Sequence, residues 1–66
     1  MKYVIYKIVT YRDVLEELDK PGINTTHSTM EDAINEIMVN RKDLKFFKLT
    51  VLPVIEFDWS GEVINF

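Results

Sequence analysis

Histidine and serine are the side chains that could form a nucleophilic catalytic centre in this chain, because cysteine is absent. His27 is the only histidine, and the serines are Ser28 and Ser60. A catalytic triad needs an imidazole that reaches a free hydroxyl. Ser28 directly precedes a helical pattern, where serine serves as the N-cap, and Ser60 lies in a predicted turn. We therefore predict that the protein is not an enzyme.

Paired carboxylates are the remaining candidates for acid–base chemistry. Glu16 with Glu17 and Asp32 with Glu36 are adjacent or one helical turn apart. Such a pair needs a cleft that separates the proton affinities of its two members. On short helices we expect solvated carboxylates instead.

Metal and nucleotide sites also lack the necessary residues. His27 and Glu31 could meet across a helix cap, but two ligands do not make a metal site. Gly22 and Gly61 are isolated, so no glycine-rich loop precedes a helix. We predict neither a metal nor a cofactor.

Acidic residues are concentrated in one part of the chain. The net charge is −3, but residues 10–36 carry seven acids against two bases and residues 37–50 carry four bases against one acid. Several of these acids do not favour helix stability: Glu36 lies four residues after Asp32, and like charges at that spacing repel. Such charges either keep a protein soluble or recognise a basic surface. The hypothesis we follow is a surface presented to a basic protein partner: Asp13, Glu16, Glu17, Asp19, Glu31, Asp32 and Glu36.

The basic segment 41–48 provides an alternative. Phe46 and Phe47 are interleaved with Arg41, Lys42, Lys45 and Lys48, and sheets that stack bases use aromatic and basic strands. In the predicted register Phe47 faces the core, and the negative net charge disfavours a polyanion. We therefore predict a protein rather than a nucleic acid as the partner, and nucleic-acid binding by this segment stays the alternative.

The elements that position these residues follow from hydrophobic periodicity. β-branched and aromatic residues predict a strand over 2–10. Residues 11–19 are predicted as a short helix capped by Thr10, with a hairpin arm as the alternative, and 22–28 as a loop. Ser28 and Glu31 form a capping box for the main helix, about 29–42.

Pro53 divides the longest apolar run, because proline cannot donate to a strand ladder. Residues 46–52 are predicted to pair with the first strand, and 54–57 to enter a C-terminal hairpin through the turn "DWSG" to the strand "EVINF". The predicted fold is one α+β domain over residues 1–66. Its order is β-α-α-β-β, with a small three-stranded sheet and both helices on one face.

Hydrophobic side chains make up 47% of the chain. If Lys7 faces solvent, the alternation of side chains along the first strand fixes which of its residues face the core. That core is Val4, Tyr6, Ile8, Leu15, Leu18, Ile34, Ile37, Met38, Phe47, Leu49, Val51 and Ile55. The other face of the first strand is also apolar, so we expect a homodimer, with Pro53 restricting open-ended pairing. No membrane span or signal peptide is evident, so we expect a cytoplasmic protein.

The architecture resembles the small accessory and host-takeover proteins of bacterial viruses. The resemblance depends on an N-terminal "MKYVIYKIVTY" strand, a capped "STMEDAINEIM" helix, a C-terminal hairpin and a short cysteine-free chain. It implies a non-catalytic inhibitor in the host cytoplasm that binds a host factor, including by DNA mimicry that blocks a DNA-binding protein. A structural subunit without its own activity is the other alternative.

Overall fold

Residues 1–55 fold as a small antiparallel sheet with two helices on one face. The computed structural model describes residues 1–55, so the predicted "DWSG" turn and final strand lie outside the described residues. The elements are β1 (Lys2–Val9), β2 (Val14–Glu17), β3 (Thr26–His27), α1 (Met30–Val39), α2 (Arg41–Leu44) and β4 (Leu49–Val54). The α+β class is confirmed. The order is β-β-β-α-α-β, and part of the predicted loop 22–28 is the strand β3.

β1 is the central strand. It pairs antiparallel with β4 along one edge and with β2 and β3 along the other. Ile5 joins the two shorter strands: its N–H donates to the Thr25 carbonyl at 2.9 Å, and its carbonyl accepts from the Leu18 N–H at 3.1 Å. One residue of β1 thus anchors both ends of the 18–25 connection.

Residues 11–19 are not a helix; they form the hairpin arm that was the alternative. The Thr10 carbonyl accepts from the Asp13 N–H at 3.3 Å, and Asp13 has a φ of 52°, a left-handed conformation that aspartate tolerates. The Thr10–Asp13 spacing therefore marks a turn rather than a cap. A helix this short gains little stability alone, whereas β2 pairs with β1 over four residues.

Pro21 and Gly22 reverse the chain between β2 and β3 instead of ending a helix. The Ile23 N–H donates to the Lys20 carbonyl at 3.2 Å, and Gly22 has a φ of 84°. Proline followed by a glycine with positive φ is the pattern of a type II turn.

The main helix begins and ends differently from the prediction. Thr29, not Ser28, is the N-cap, and its Oγ1 accepts from the Asp32 N–H at 3.1 Å. Adjacent serine and threonine are both good caps, so the sequence pattern does not choose between them. α1 ends at Val39 because Asn40 caps it, with its Nδ2 donating to the Glu36 carbonyl at 2.9 Å. α2 follows as a separate turn.

The helices pack on the face of the sheet that contains Ile5. Val4, Tyr6 and Ile8 lie on the opposite face, because side chains alternate along a strand. The predicted register assumed that Lys7 must face solvent away from the helices. Lys7 in fact lies on the Ile5 face, at its open end beside Phe47. The buried cluster on this face is Ile5, Leu18, Ala33 and Leu44, with Ile23, Ile37, Leu49 and Val51 packed against it.

The predicted core is confirmed in part. Val4 and Leu18 are buried, whereas Tyr6, Ile8, Ile37, Leu49 and Val51 are half-buried. Five predicted core residues are exposed instead: Leu15, Ile34, Met38, Phe47 and Ile55. Leu15 faces away from the helices, and α1 turns its Ala33 side rather than its Ile34 and Met38 side to the sheet.

Pro53 does not interrupt β4. The Ile8 N–H donates to the Lys48 carbonyl at 2.8 Å, and Pro53 lies opposite Tyr3 in the same ladder. Hydrogen-bonded pairs alternate along an antiparallel ladder, so Pro53 occupies a non-hydrogen-bonded position. Its nitrogen points away from β1, toward the edge of the sheet, where proline costs no ladder hydrogen bond.

Candidate functional site

A groove of about 330 Å³ lies between the β1–β2 turn and the chain that links α2 to β4. Two backbone hydrogen bonds hold this link in place: the Phe47 N–H donates to the Leu44 carbonyl at 2.9 Å, and the Lys48 carbonyl accepts from Ile8. We call it the basic-aromatic groove and define it by its charged and aromatic lining residues: Lys7, Tyr11, Arg12, Glu16, Phe46, Phe47 and Lys48.

Three aromatic rings of the groove are exposed. Phe46 is 86% and Tyr11 83% exposed, and Phe47 is exposed as well. The prediction that Phe47 faces the core is therefore wrong. Two ammonium groups flank the Phe47 ring, since the Nζ atoms of Lys7 and Lys20 each lie 5.9 Å from its centroid. The Nζ of Lys45 lies 5.0 Å from the Phe46 centroid, within the range of a cation–π contact.

Among the lining residues within 1–55, Glu16 is the acidic one, and it forms ion pairs with two of the groove's cations. Its Oε2 lies 3.5 Å from the Lys7 Nζ, and its Oε1 lies 3.6 Å from the Arg12 Nη1. Lys7 and Glu16 face each other directly across the β1–β2 ladder. Both contacts are longer than a charged hydrogen bond and are partly exposed, so each is weak.

The groove includes only part of the predicted basic segment. Lys48 lines it and Lys45 covers Phe46, whereas Arg41 and Lys42 lie on α2 and do not line it. Three lining residues were not predicted as site residues: Lys7, Tyr11 and Arg12. The predicted register placed Lys7 on the other face of the sheet, and the predicted helix over 11–19 separated Tyr11 and Arg12 from the basic segment. An exposed "TYRD" turn between two strands is the signal that could have located them.

The predicted acidic residues do not share one surface. Glu16 and Glu17 lie on opposite faces of β2, because consecutive strand residues alternate. Glu17 accepts a hydrogen bond from the Thr25 Oγ1 at 3.0 Å. Glu36 accepts from the Asn24 N–H at 3.1 Å. Four acids are exposed and make no side-chain hydrogen bond or ion pair with residues 1–55: Asp13, Asp19, Glu31 and Asp32.

The His27 side chain forms a hydrogen bond with a residue three positions earlier in the chain. Its Nε2 donates to the Asn24 carbonyl at 2.7 Å, which restrains the loop before α1. In the described part of the chain, no three histidine or carboxylate side chains are placed to hold a metal ion. None of the helices within residues 1–55 is long and apolar enough to cross a membrane.

Comparison of the chain with protein-family models, with curated proteins and with solved structures finds no match in any of the three. The function is therefore inferred from the geometry of the groove and from the charges around it.

Proposed function

We propose that this protein is a non-catalytic binding protein whose basic-aromatic groove takes up single-stranded nucleic acid. The observation that carries the proposal is the exposed Phe46 ring, with the Lys45 ammonium 5.0 Å from its centroid and Tyr11 lining the same groove. Proteins that bind single strands combine aromatic rings that stack bases with cations that contact the backbone. The groove contains both kinds of group.

The exposed rings are the first support. Burying a phenylalanine side chain is worth about 1.5–3 kcal/mol, so several exposed rings around one groove indicate a surface that acts in binding. A base stacked on a ring contributes about 1–3 kcal/mol. Paired bases in a duplex do not offer their faces to side chains, so exposed rings favour a single strand over a duplex.

The cations are the second support. Lys7, Arg12 and Lys48 line the groove, and Lys20 and Lys45 approach its rings. The negative net charge does not cancel this local excess, because exposed charges beyond about 8 Å are screened at physiological ionic strength. Within the described lining, Glu16 is the carboxylate that opposes a phosphate.

Fluorescence anisotropy with labelled oligo(dT) and oligo(U), beside a duplex of equal length, tests the proposal. We expect single strands to bind more tightly than the duplex and the affinity to fall with salt. Phe46→Ala should weaken binding by roughly 5- to 150-fold, the equivalent of one lost stacking contact.

Lys48→Ala and Lys42→Ala form a matched pair, because both remove one exposed lysine but only Lys48 lines the groove. We expect Lys48→Ala to weaken binding and Lys42→Ala to leave it nearly unchanged. Equal losses in the two variants, or no binding of any strand at low salt, would contradict the proposal.

An acidic surface that binds a basic host protein is the second proposal, as in a viral inhibitor that mimics DNA. Glu31 and Asp32 favour it, because both are exposed in the first turn of α1 and neither makes a side-chain hydrogen bond or ion pair with residues 1–55. Salt-sensitive binding to an immobilised basic DNA-binding protein, lost on Glu31→Lys/Asp32→Lys, is the expected result. Binding that survives this double reversal would contradict it.

Homodimer formation also stays a prediction. Sedimentation velocity at concentrations on the order of tens of micromolar measures it directly. A single species with the mass of one chain would contradict it.

A further inference from the structure

Glu16 occupies the position in the basic-aromatic groove where an anionic ligand would meet its cations. Its two carboxylate oxygens approach different partners, Lys7 at 3.5 Å and Arg12 at 3.6 Å. A phosphate group also presents several oxygens and pairs with lysine and arginine in the same way. The free protein therefore holds an internal carboxylate where the proposed ligand would place a phosphate.

The two contacts are loose enough for exchange. The side chain of Glu16 is 42% exposed, and those of Lys7 and Arg12 are 35% and 57% exposed. Exposed ion pairs contribute little and are screened by salt. A ligand with more than one phosphate also contacts further cations of the groove, such as Lys48. It therefore forms more ion pairs than the single Glu16 carboxylate does.

Glu16 is positioned by the fold rather than by its partners alone. It lies in β2 directly opposite Lys7, and the hairpin turn brings Arg12 back to the same side. Among the lining residues within 1–55, Lys7, Arg12, Lys48 and a charged Glu16 sum to a net charge of +2; without Glu16 the sum is +3.

We infer that Glu16 competes with the phosphates of the nucleic-acid backbone for Lys7 and Arg12. A bound strand displaces the Glu16 carboxylate from both cations. This inference rests on the proposed function. It predicts that wild-type affinity is restrained by an intramolecular contact, and that the groove discriminates against small monoanions, which cannot replace Glu16 and engage the other cations at once.

Glu16→Gln and Glu17→Gln test this inference as a matched pair. Both variants remove one negative charge from β2, but Glu17 lies on the opposite face and accepts a hydrogen bond from Thr25. The probe is labelled oligo(dT), measured by anisotropy at several salt concentrations. We expect Glu16→Gln to bind roughly 2- to 30-fold more tightly, from the loss of two weak competing pairs. Glu17→Gln should change affinity by less than about 2-fold.

The salt dependence of binding gives a second test, because it would not change if Glu16 only supported the fold. The net positive charge of the groove rises by one in Glu16→Gln, so the slope of log affinity against log salt should become steeper by about 0.7. A double-mutant cycle with Arg12→Gln should shrink the gain, because one of the two competing pairs is then already absent.

The outcomes separate the two proposals. If neither wild type nor Glu16→Gln binds oligo(dT), the proposed function fails, and the inference fails with it. If wild type binds but Glu16→Gln behaves like Glu17→Gln in affinity and salt slope, the function stands and the inference is overturned.

Discussion

Lys7 and Glu16 face each other across the β1–β2 ladder, with the Lys7 Nζ 3.5 Å from the Glu16 Oε2. Lys7 also lies 5.9 Å from the centroid of Phe47. This cross-strand pair therefore links the hairpin to the chain between α2 and β4. It places a cation on the helix-bearing face of the sheet, at the end where that face opens into the groove.

The first prediction concerns the stability of this pair. Glu16→Gln should lower the free energy of unfolding by about 0.4–2 kcal/mol, because it removes two exposed ion pairs and each contributes about 0.2–1 kcal/mol. Urea denaturation followed by circular dichroism measures it. A loss of several kcal/mol would show that Glu16 supports the fold rather than tuning the groove.

The second prediction concerns Gly22 in the turn between β2 and β3. Gly22 has a φ of 84°, and a Cβ added there would meet no atom within 4 Å. The cost of Gly22→Ala is therefore conformational, about 1–2 kcal/mol. Gly22→Asn is the control, since asparagine tolerates the left-handed region better, and it should cost less. Equal stability of both variants and wild type would contradict the turn assignment.

The third prediction concerns the core. Ile5 is fully buried, so Ile5→Ala should destabilise by about 2–5 kcal/mol, enough to unfold so small a domain. Ile37 is only half-buried, so Ile37→Ala should cost less than Ile5→Ala. Ile34→Ala is the control on the exposed side of α1 and should cost the least of the three. Thermal melts that rank the three variants otherwise would contradict the observed helix orientation.

Elements with strong local signals were predicted well from the sequence. β1 and the start of α1 depend on a β-branched run and on a capping pattern, and both lie within about one residue of the prediction. The α+β class follows from the presence of both. Asn40 ends α1 before 42 because its side chain bonds back to Glu36, a contact that hydrophobic periodicity does not report.

The hairpin over 11–19 could not be decided locally. Val14, Leu15 and Leu18 fit one helix face, yet as a strand they place Val14 and Leu18 on one side and Leu15 on the other. The choice depends on pairing with β1, which is a tertiary effect that local propensity does not contain. Phe47 and Lys7 were misplaced for the same reason, because the face of β1 that receives the helices is set by packing.

Only part of the candidate site could therefore be predicted from the sequence. Lys45, Phe46 and Lys48 were recognised as an aromatic and basic segment. Tyr11 and Arg12 are more than thirty residues away in the chain, and only the β1–β2 hairpin brings them to the same groove.

The last prediction concerns Pro53 and the edge of the sheet. β4 pairs with β1 on one side, and its other edge pairs with no strand in residues 1–55. An edge with free N–H groups is a template for another chain. Pro53 has no N–H to offer there, and its nitrogen faces away from β1. Proline at this position therefore limits edge-to-edge association without weakening the β1–β4 ladder.

Pro53→Val restores an N–H at this edge, so it should leave the fold intact and increase concentration-dependent association. Thr50→Val is the matched control, because it also adds a valine to β4 but at a position whose backbone already bonds to Tyr6. Sedimentation velocity and light scattering over a concentration series compare the two. If Pro53→Val associates no more than Thr50→Val, then Pro53 does not protect the edge. Because Pro53 lies at a non-hydrogen-bonded position of the β1–β4 ladder, its nitrogen takes part in no β1–β4 hydrogen bond. The circular dichroism spectrum of Pro53→Val should therefore match that of the wild type.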